Sequence, residues 1–415
     1  MSKIIIILNT NGLKKLDTYH IIKQKGYDIA LVSSTLEDEF SDIVDYYIES
    51  NINDYDRLMI DVVEFARTHE NIVGIVSFTE FAVEQAAFLA ELLNLPTANS
   101  KAIKICRNKY LTKLMLRNSS INIPSYKLIR NKSDIKEYME TINKSIIIKP
   151  LDAAGAIGVF KLDNPEDIDR VYKSMQFLNH SESYKEIGKE FNEFWIAEEY
   201  IKGYEISVES ITYEGNTTTI AIHDKMNAVE APYFLEEFFI TPSMRMSTEL
   251  QDTILSNVKE ILEKIGFENG ITHIEFRIRD NIPYLIEINP RPGGILIVES
   301  TYYSTKINLL EAQIDIVVGK EPMINLNERL PVAFQSITPP LGEIVSMSGV
   351  DHAPDSEYIK IFQVKSKVGD YVVNKSATQA VNILACGGEM QEMIQELNKI
   401  SKQISITSIR KEVSL

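Results

Sequence analysis

In the stretch PYLIEINPRPGG, residues 283–294, a carboxylate (Glu287), an amide (Asn289) and a guanidinium (Arg291) occupy every second position before two prolines and two glycines intervene. Just upstream, ITHIEFRI alternates in the same way. Across both runs Ile274, Phe276, Ile278, Tyr284, Ile286 and Ile288 are apolar, while His273, Glu275, Arg277, Glu287 and Asn289 are polar. Period-two alternation reads as two half-buried strands. A two-residue turn at Asp280 and Asn281 would send the two apolar sets to opposite faces; an odd loop, Asp280 to Ile282, keeps them together. The odd loop also sets Glu275 opposite Glu287 and His273 opposite Asn289. Two carboxylates at roughly 5 Å repel, so one must be protonated, or both must meet cations or a metal. Carboxylate and amide oxygens suit Mg²⁺ with waters and phosphates rather than Zn²⁺. A solvated polar face with Arg277 neutralising the pair is an equal alternative from these residues alone.

A second candidate is SIIIKPLDAAGAIGVFKL, an apolar strand ending in Lys149, a loop of small residues with Gly155 and Gly158, and another strand. Small side chains let backbone N–H groups approach phosphate oxygens, and the lysine adds a point charge. It is no Walker loop, since GK[ST] is missing and a strand follows. In CRNKYLTKLML, Lys109 and Lys113 share one helix face, where solubility is the default explanation. WIAEEYIKGYEISVES has an apolar strand ending at Glu198, Glu199, Tyr200 and Ile201, then Glu205 and Glu209. Backbone groups there could meet an adenine edge, and a carboxylate could accept from ribose hydroxyls.

These segments need a scaffold. From residue 3 to about 100, apolar runs (KIIIILN, DIALVSS, IVGIVSF) alternate with helices at Leu16–Lys25, Asp54–His69 and the stretch starting at Thr79. That pattern indicates a parallel sheet covered on both faces, Rossmann-like in architecture but without G-x-G-x-x-G. A helix over Lys101–Asn118 leads into an α+β region, with FWIAEEYI and YEISVESITYEG expected as adjacent antiparallel strands joined at Lys202-Gly203. A small α+β cap follows from about residue 325. The divisions expected are 1–100, 101–195 and 196–415, the last including the cap.

Composition narrows the classes. The 415 residues carry 59 acidic against 43 basic side chains, a formal charge of -16, which argues against a nucleic-acid footprint. Cys106 and Cys386 are the only cysteines, too few for a disulfide framework and suited to a reducing compartment. MSKIIIIL reads as a first buried strand rather than a signal or membrane segment, giving a cytoplasmic expectation with no membrane partner.

In this order, the helix lysine, the strand lysine with KP, the small-residue loop, AEEYIKGYEISVE, NGITHIEFRI and LIEINPRPGG resemble the ATP-grasp superfamily over nearly the whole chain. Within it, the size and the NPRPGG ending resemble the carboxylate-amine ligases, most closely the bacterial L-amino-acid ligases that make dipeptides, including those of antibiotic biosynthesis. The fold implied is mixed α/β and α+β, an ATP-grasp body behind a Rossmann-like domain and before a cap. Residue by residue, the resemblance implies that Lys109 and Lys149 hold ATP phosphates and that Ala154, Gly155, Ala156 and Gly158 fold over them. Backbone groups of Glu199, Tyr200 and Ile201 would face adenine, with Glu205 on the ribose. Glu275, Glu287 and Asn289 would hold two Mg²⁺ ions, for which Mn²⁺ could substitute. Arg291, Gly293 and Gly294 would act on the reacting groups, Arg291 holding a carboxylate or acyl-phosphate.

The activity implied is ADP-forming ligation of two unprotected amino acids into a dipeptide through an aminoacyl-phosphate. Substrate candidates are Thr79 and Glu80 after the third parallel strand, and Glu230, Glu236 and Glu237, whose acidity makes arginine a candidate first substrate. His223, His273 and Trp195 read as structural rather than catalytic. The partners expected are small amino acids, with a homodimer by analogy. Another ATP-grasp ligase or carboxylase, or a silent ATP-binding module, are the alternatives.

Overall fold

The computed structural model describes residues 2–9, 16–153, 155–180, 194–226, 237–351, 354–373, 375 and 378–410. The chain opens on a four-stranded parallel sheet, in the order Tyr46–Glu49, Tyr27–Ser33, Lys3–Leu8, Ile72–Val76. The run KIIIIL is continuously apolar because both of its faces are buried: Ile4, Ile6 and Leu8 pack on one side, Ile5 and Ile7 on the other. The second face is covered partly by the distant helix Leu309–Val317, through Leu310, Ile314 and Val317. The strand Tyr46–Glu49 had no clear sequence signal, since YYIE is short and half-exposed.

The expected helix from Lys101 to Asn118 is two helices, Ser100–Arg107 and Lys109–Leu116. Asn108 breaks it by adopting an extended conformation and accepting from the N–H groups of Tyr110 and Leu111. The break aims Lys109 and Lys113 inward, and both are buried.

A four-stranded antiparallel sheet follows, in the order Tyr126–Ile129, Trp195–Glu199, Ile146–Pro150, Phe160–Leu162. An eight-stranded sheet then runs Ile282–Asn289, Gly270–Arg279, Tyr204–Tyr213, Asn216–Lys225, Phe238–Thr241, Val332–Ile337, Val381–Cys386, Ile359–Val364. FWIAEEYI and YEISVES are therefore not partners, because the chain changes sheets at Lys202-Gly203. Gly203 passes so close to the next sheet that a Cβ there would lie 1.9 Å from the Ile278 carbonyl oxygen. The C-terminal region is partly built into the eight-stranded sheet, in keeping with a last division that includes the cap. Three of its strands extend the large sheet, and only Gly342–Ser348, Tyr371–Val372 and Ser405–Ile409 form a sheet of their own.

The Gly270–Asn289 hairpin corrects the turn but keeps the pairing. Asp280 and Asn281 both have positive φ and form a two-residue turn, so Arg279 pairs with Ile282. A bulge then absorbs one residue: Phe276 pairs with Leu285, while Glu275 pairs with Glu287 and His273 with Asn289. The bulge restores the common face that an odd loop was invoked to explain.

Candidate active site

A cavity of about 330 Å³ opens where the two antiparallel sheets meet. The metal-type residues Glu275, Glu287 and Asn289 line it together with Lys109, Lys149, Gly155, Ala156, Glu205, Arg291 and Gly294. Glu199, Tyr200 and Ile201 line it as well. Residues from Lys109 to Gly294 thus share one wall system.

The carboxylate pair is neutralised, but not by Arg277. Lys109 Nζ lies 3.2 Å from Glu287 Oε2 and donates to the Ala153 carbonyl at 2.8 Å. Lys225 Nζ lies 2.9 Å from Glu275 Oε1 and 2.5 Å from Glu205 Oε1. Arg277 turns away, donating to the Gly203 carbonyl at 2.6 Å. Lys225 is the main residue the sequence reading missed. Its signal was present, a polar residue ending the strand Asn216–Lys225 beside Glu205 in register. Burial would raise the Glu275 carboxyl pKa, but Lys225 and His273 beside it outweigh burial and hold it well below the usual range.

Lys149 is held from behind. Its Nζ lies 2.9 Å from Glu198 Oε2, and Glu198 Oε1 lies 2.9 Å from Lys113 Nζ, all three side chains being buried. Burial favours neutral Lys113 and pushes it down to about 8 despite Glu198. Removing Glu198 would leave two buried ammonium groups, a loss of about 3–5 kcal/mol. Glu199 points elsewhere, to Lys144 at 2.6 Å and Arg279 at 2.9 Å. The N–H groups of Glu199 and Tyr200 donate to the carbonyls of Ser125 and Ser145, within the sheet.

The remaining expectations divide. Gly158 lies against Pro150 and Trp195 rather than on the cavity, and Trp195 is a core residue. The N–H of Gly293 donates to Glu209 Oε2 at 3.1 Å, so that donor is spent inside the protein. A Cβ at Gly293 would fall 2.8 Å from His273 Nδ1 and 2.4 Å from Ile297 Cγ2, so the glycine here serves close packing. Thr79 sits in a buried turn, its N–H donating to Ser77 Oγ at 3.2 Å. Glu80 is buried between Arg107 and Arg291 and does not line the cavity. Glu237 does not line it either, while Ala154, Glu230 and Glu236 fall outside the described residues.

Both histidines are held by neighbouring side chains. His223 is buried between Thr241 Oγ1 at 2.6 Å and Thr301 Oγ1 at 3.2 Å, and burial lowers it to about 4. Burial would also lower His273, but Glu209 and Glu275 beside it raise it to about 10.

Glu80 gives a pH prediction. Burial alone would raise its carboxyl pKa, but Arg107 and Arg291 lower it to about 2. A folded pKa below the unfolded value adds stability above about 4.5, which is lost as pH falls toward 2. Denaturant melts from pH 6 to 3 should show that loss, and the Glu80→Gln variant should show a shallower decline.

Residues 142–299 match the ATP-grasp domain family. The whole chain superposes on an L-amino acid ligase from Bacillus licheniformis with a TM-score of 0.82, covering 99% of each chain at 19% identity. The chain carries an ATP-grasp domain over residues 142–299. It is related to the bacterial L-amino-acid ligases: alanine–anticapsin ligase of Bacillus amyloliquefaciens is 25% identical over 327 residues, 73% of this chain and 67% of that protein. A biotin carboxylase from Campylobacter jejuni superposes with a TM-score of 0.71, covering 99% of this chain and 93% of that one at 15% identity. ATP-grasp architecture thus accounts for the two antiparallel sheets with the cavity between them. Among the described residues, no helix of this ATP-grasp chain is long and apolar enough to cross a membrane.

Proposed function

We propose that this ATP-grasp enzyme is an ADP-forming ligase that joins two unprotected amino acids into a dipeptide. The observation that carries the reading is the Glu275–Glu287 cross-strand pair, bracketed by Lys109 and Lys225 and facing Lys149 and Arg291 across one cavity. Such a mixture of anions and cations suits a polyphosphate and a developing oxyanion better than a neutral ligand.

Glu275, Glu287 and the amide oxygen of Asn289 form an all-oxygen donor set, which fits a hard divalent cation. Mg²⁺ held by these residues would supply positive charge to neutralise the transferred phosphoryl group. In the first step an oxygen of the donor carboxylate bonds to the γ-phosphorus, the bond to the β-phosphate oxygen breaks, and ADP leaves. Lys109, Lys149 and Lys225 balance the phosphate charge. In the second step the acceptor amine attacks the acyl carbon, Arg291 stabilises the oxyanion, and phosphate departs with one donor oxygen. Adenine would lie along Glu199 to Ile201, and Glu205 would serve the ribose. Arginine is the donor candidate, with the acidic side chains of Glu230, Glu236 and Glu237 as its proposed partners.

The test is phosphate release with MgATP across single and paired amino acids, with bicarbonate as a control and mass spectrometry of the products. A dipeptide formed with stoichiometric ADP and phosphate is expected. Turnover with bicarbonate alone, or with no amino acid pair, contradicts the proposal.

A further inference from the structure

Two guanidinium groups of like charge, Arg107 and Arg291, approach one carboxylate from opposite sides. Glu80 Oε1 pairs with Arg107 Nη1 and Glu80 Oε2 with Arg291 Nε, and the Glu80 side chain is 4% exposed. The three residues come from distant elements: Glu80 follows the parallel strand Ile72–Val76, Arg107 ends the helix Ser100–Arg107, and Arg291 follows the strand Ile282–Asn289. Arg107 also donates through Nη2 to the Asp152 carbonyl at 2.7 Å. Asp152 stands at the base of the small-residue loop, next to Ala153, whose carbonyl accepts from Lys109. Arg291 donates through Nη1 to the Pro292 carbonyl at 2.9 Å. The Glu80 ion pair and the Pro292 carbonyl hold the Arg291 guanidinium while its residue still lines the cavity.

We propose that Glu80 is a positioning residue: it sets the plane of Arg291 and, through Arg107, ties that plane to the base of the small-residue loop. The proposal rests on the reading that Arg291 stabilises the oxyanion of acyl transfer. It assigns Glu80 no substrate contact, because each carboxylate oxygen is ion-paired with an arginine and the residue lies off the cavity. Without the carboxylate, the two arginines repel and the Arg291 fork swings. Misplacement of a reacting group by about 1 Å can cost about a hundredfold in rate.

The experiment compares wild type, Glu80→Gln, Arg107→Lys, Arg291→Lys and the Glu80→Gln/Arg291→Lys double variant as full chains. Each is assayed with MgATP and the amino acid pair that wild type turns over fastest, and each is melted to check folding. Glu80→Gln is expected to lower kcat about tenfold to a hundredfold while KM for ATP moves less than about twofold. In the Arg291→Lys background the same substitution should cost almost nothing more, since its effect runs through that arginine. Arg107→Lys keeps the charge but loses the fork to Asp152. It is expected to lower kcat in the same direction, and it carries the test if Glu80→Gln does not fold. An unchanged kcat in the folded variant, a loss confined to amino acid KM, or a full multiplicative loss on top of Arg291→Lys overturns the proposal alone. No turnover by wild type with any pair overturns the ligase reading and the proposal with it.

Discussion

Glu287→Gln is expected to cut ADP formation by roughly a thousandfold, about 4 kcal/mol, while the protein stays folded. The amide keeps the size of the side chain and its bond from Asn289, now 3.1 Å to Oε1, but removes the anion that faces Lys109 and would hold a divalent cation. The side chain is 20% exposed, so the ion pair itself contributes little to stability, about 0–1 kcal/mol. Melting should therefore shift by only a few degrees. Turnover near the wild-type rate at saturating Mg²⁺ would remove Glu287 from the metal site and reduce the cross-strand pair to a solvated face.

The second large effect is expected at Lys225, which is 3% exposed and lies between Glu205 and Glu275. Lys225→Met should lower kcat about a hundredfold and shrink the melting shift that MgATP produces, because a cation lining the cavity is lost. Some stability should be lost as well, since two half-buried carboxylates are left without their shared partner. If kcat and the MgATP shift survive while only stability falls, Lys225 merely neutralises the two acids. A kinetic titration with MgATP, run beside thermal melts, separates these outcomes.

The two strands of the Gly270–Asn289 hairpin were readable in the sequence because alternation is a local property. Glu275, Glu287 and Asn289 fall on one face, and their pairing was inferred correctly. The route to that pairing was not readable, because a two-residue turn with a compensating bulge gives the same register near the site as an odd loop. Partners brought by tertiary packing were also hidden. Nothing near Glu80 in sequence announces Arg107 and Arg291, and nothing near Lys149 announces that Glu198 ties it to Lys113. The swap of sheets at Gly203 was missed for a related reason: a glycine after an apolar strand reads as a hairpin turn unless the second sheet is known. Gly293 shows the limit for backbone donors, whose use depends on which buried acid lies above them.

The central claim is that the donor carboxylate itself attacks ATP. The most direct measurement is isotope transfer from an amino acid labelled with ¹⁸O in its carboxylate, followed by mass spectrometry of the phosphate released with MgATP and the acceptor. The account predicts one ¹⁸O in each phosphate formed during dipeptide synthesis. Phosphate released without label, while ADP and dipeptide accumulate, would contradict it.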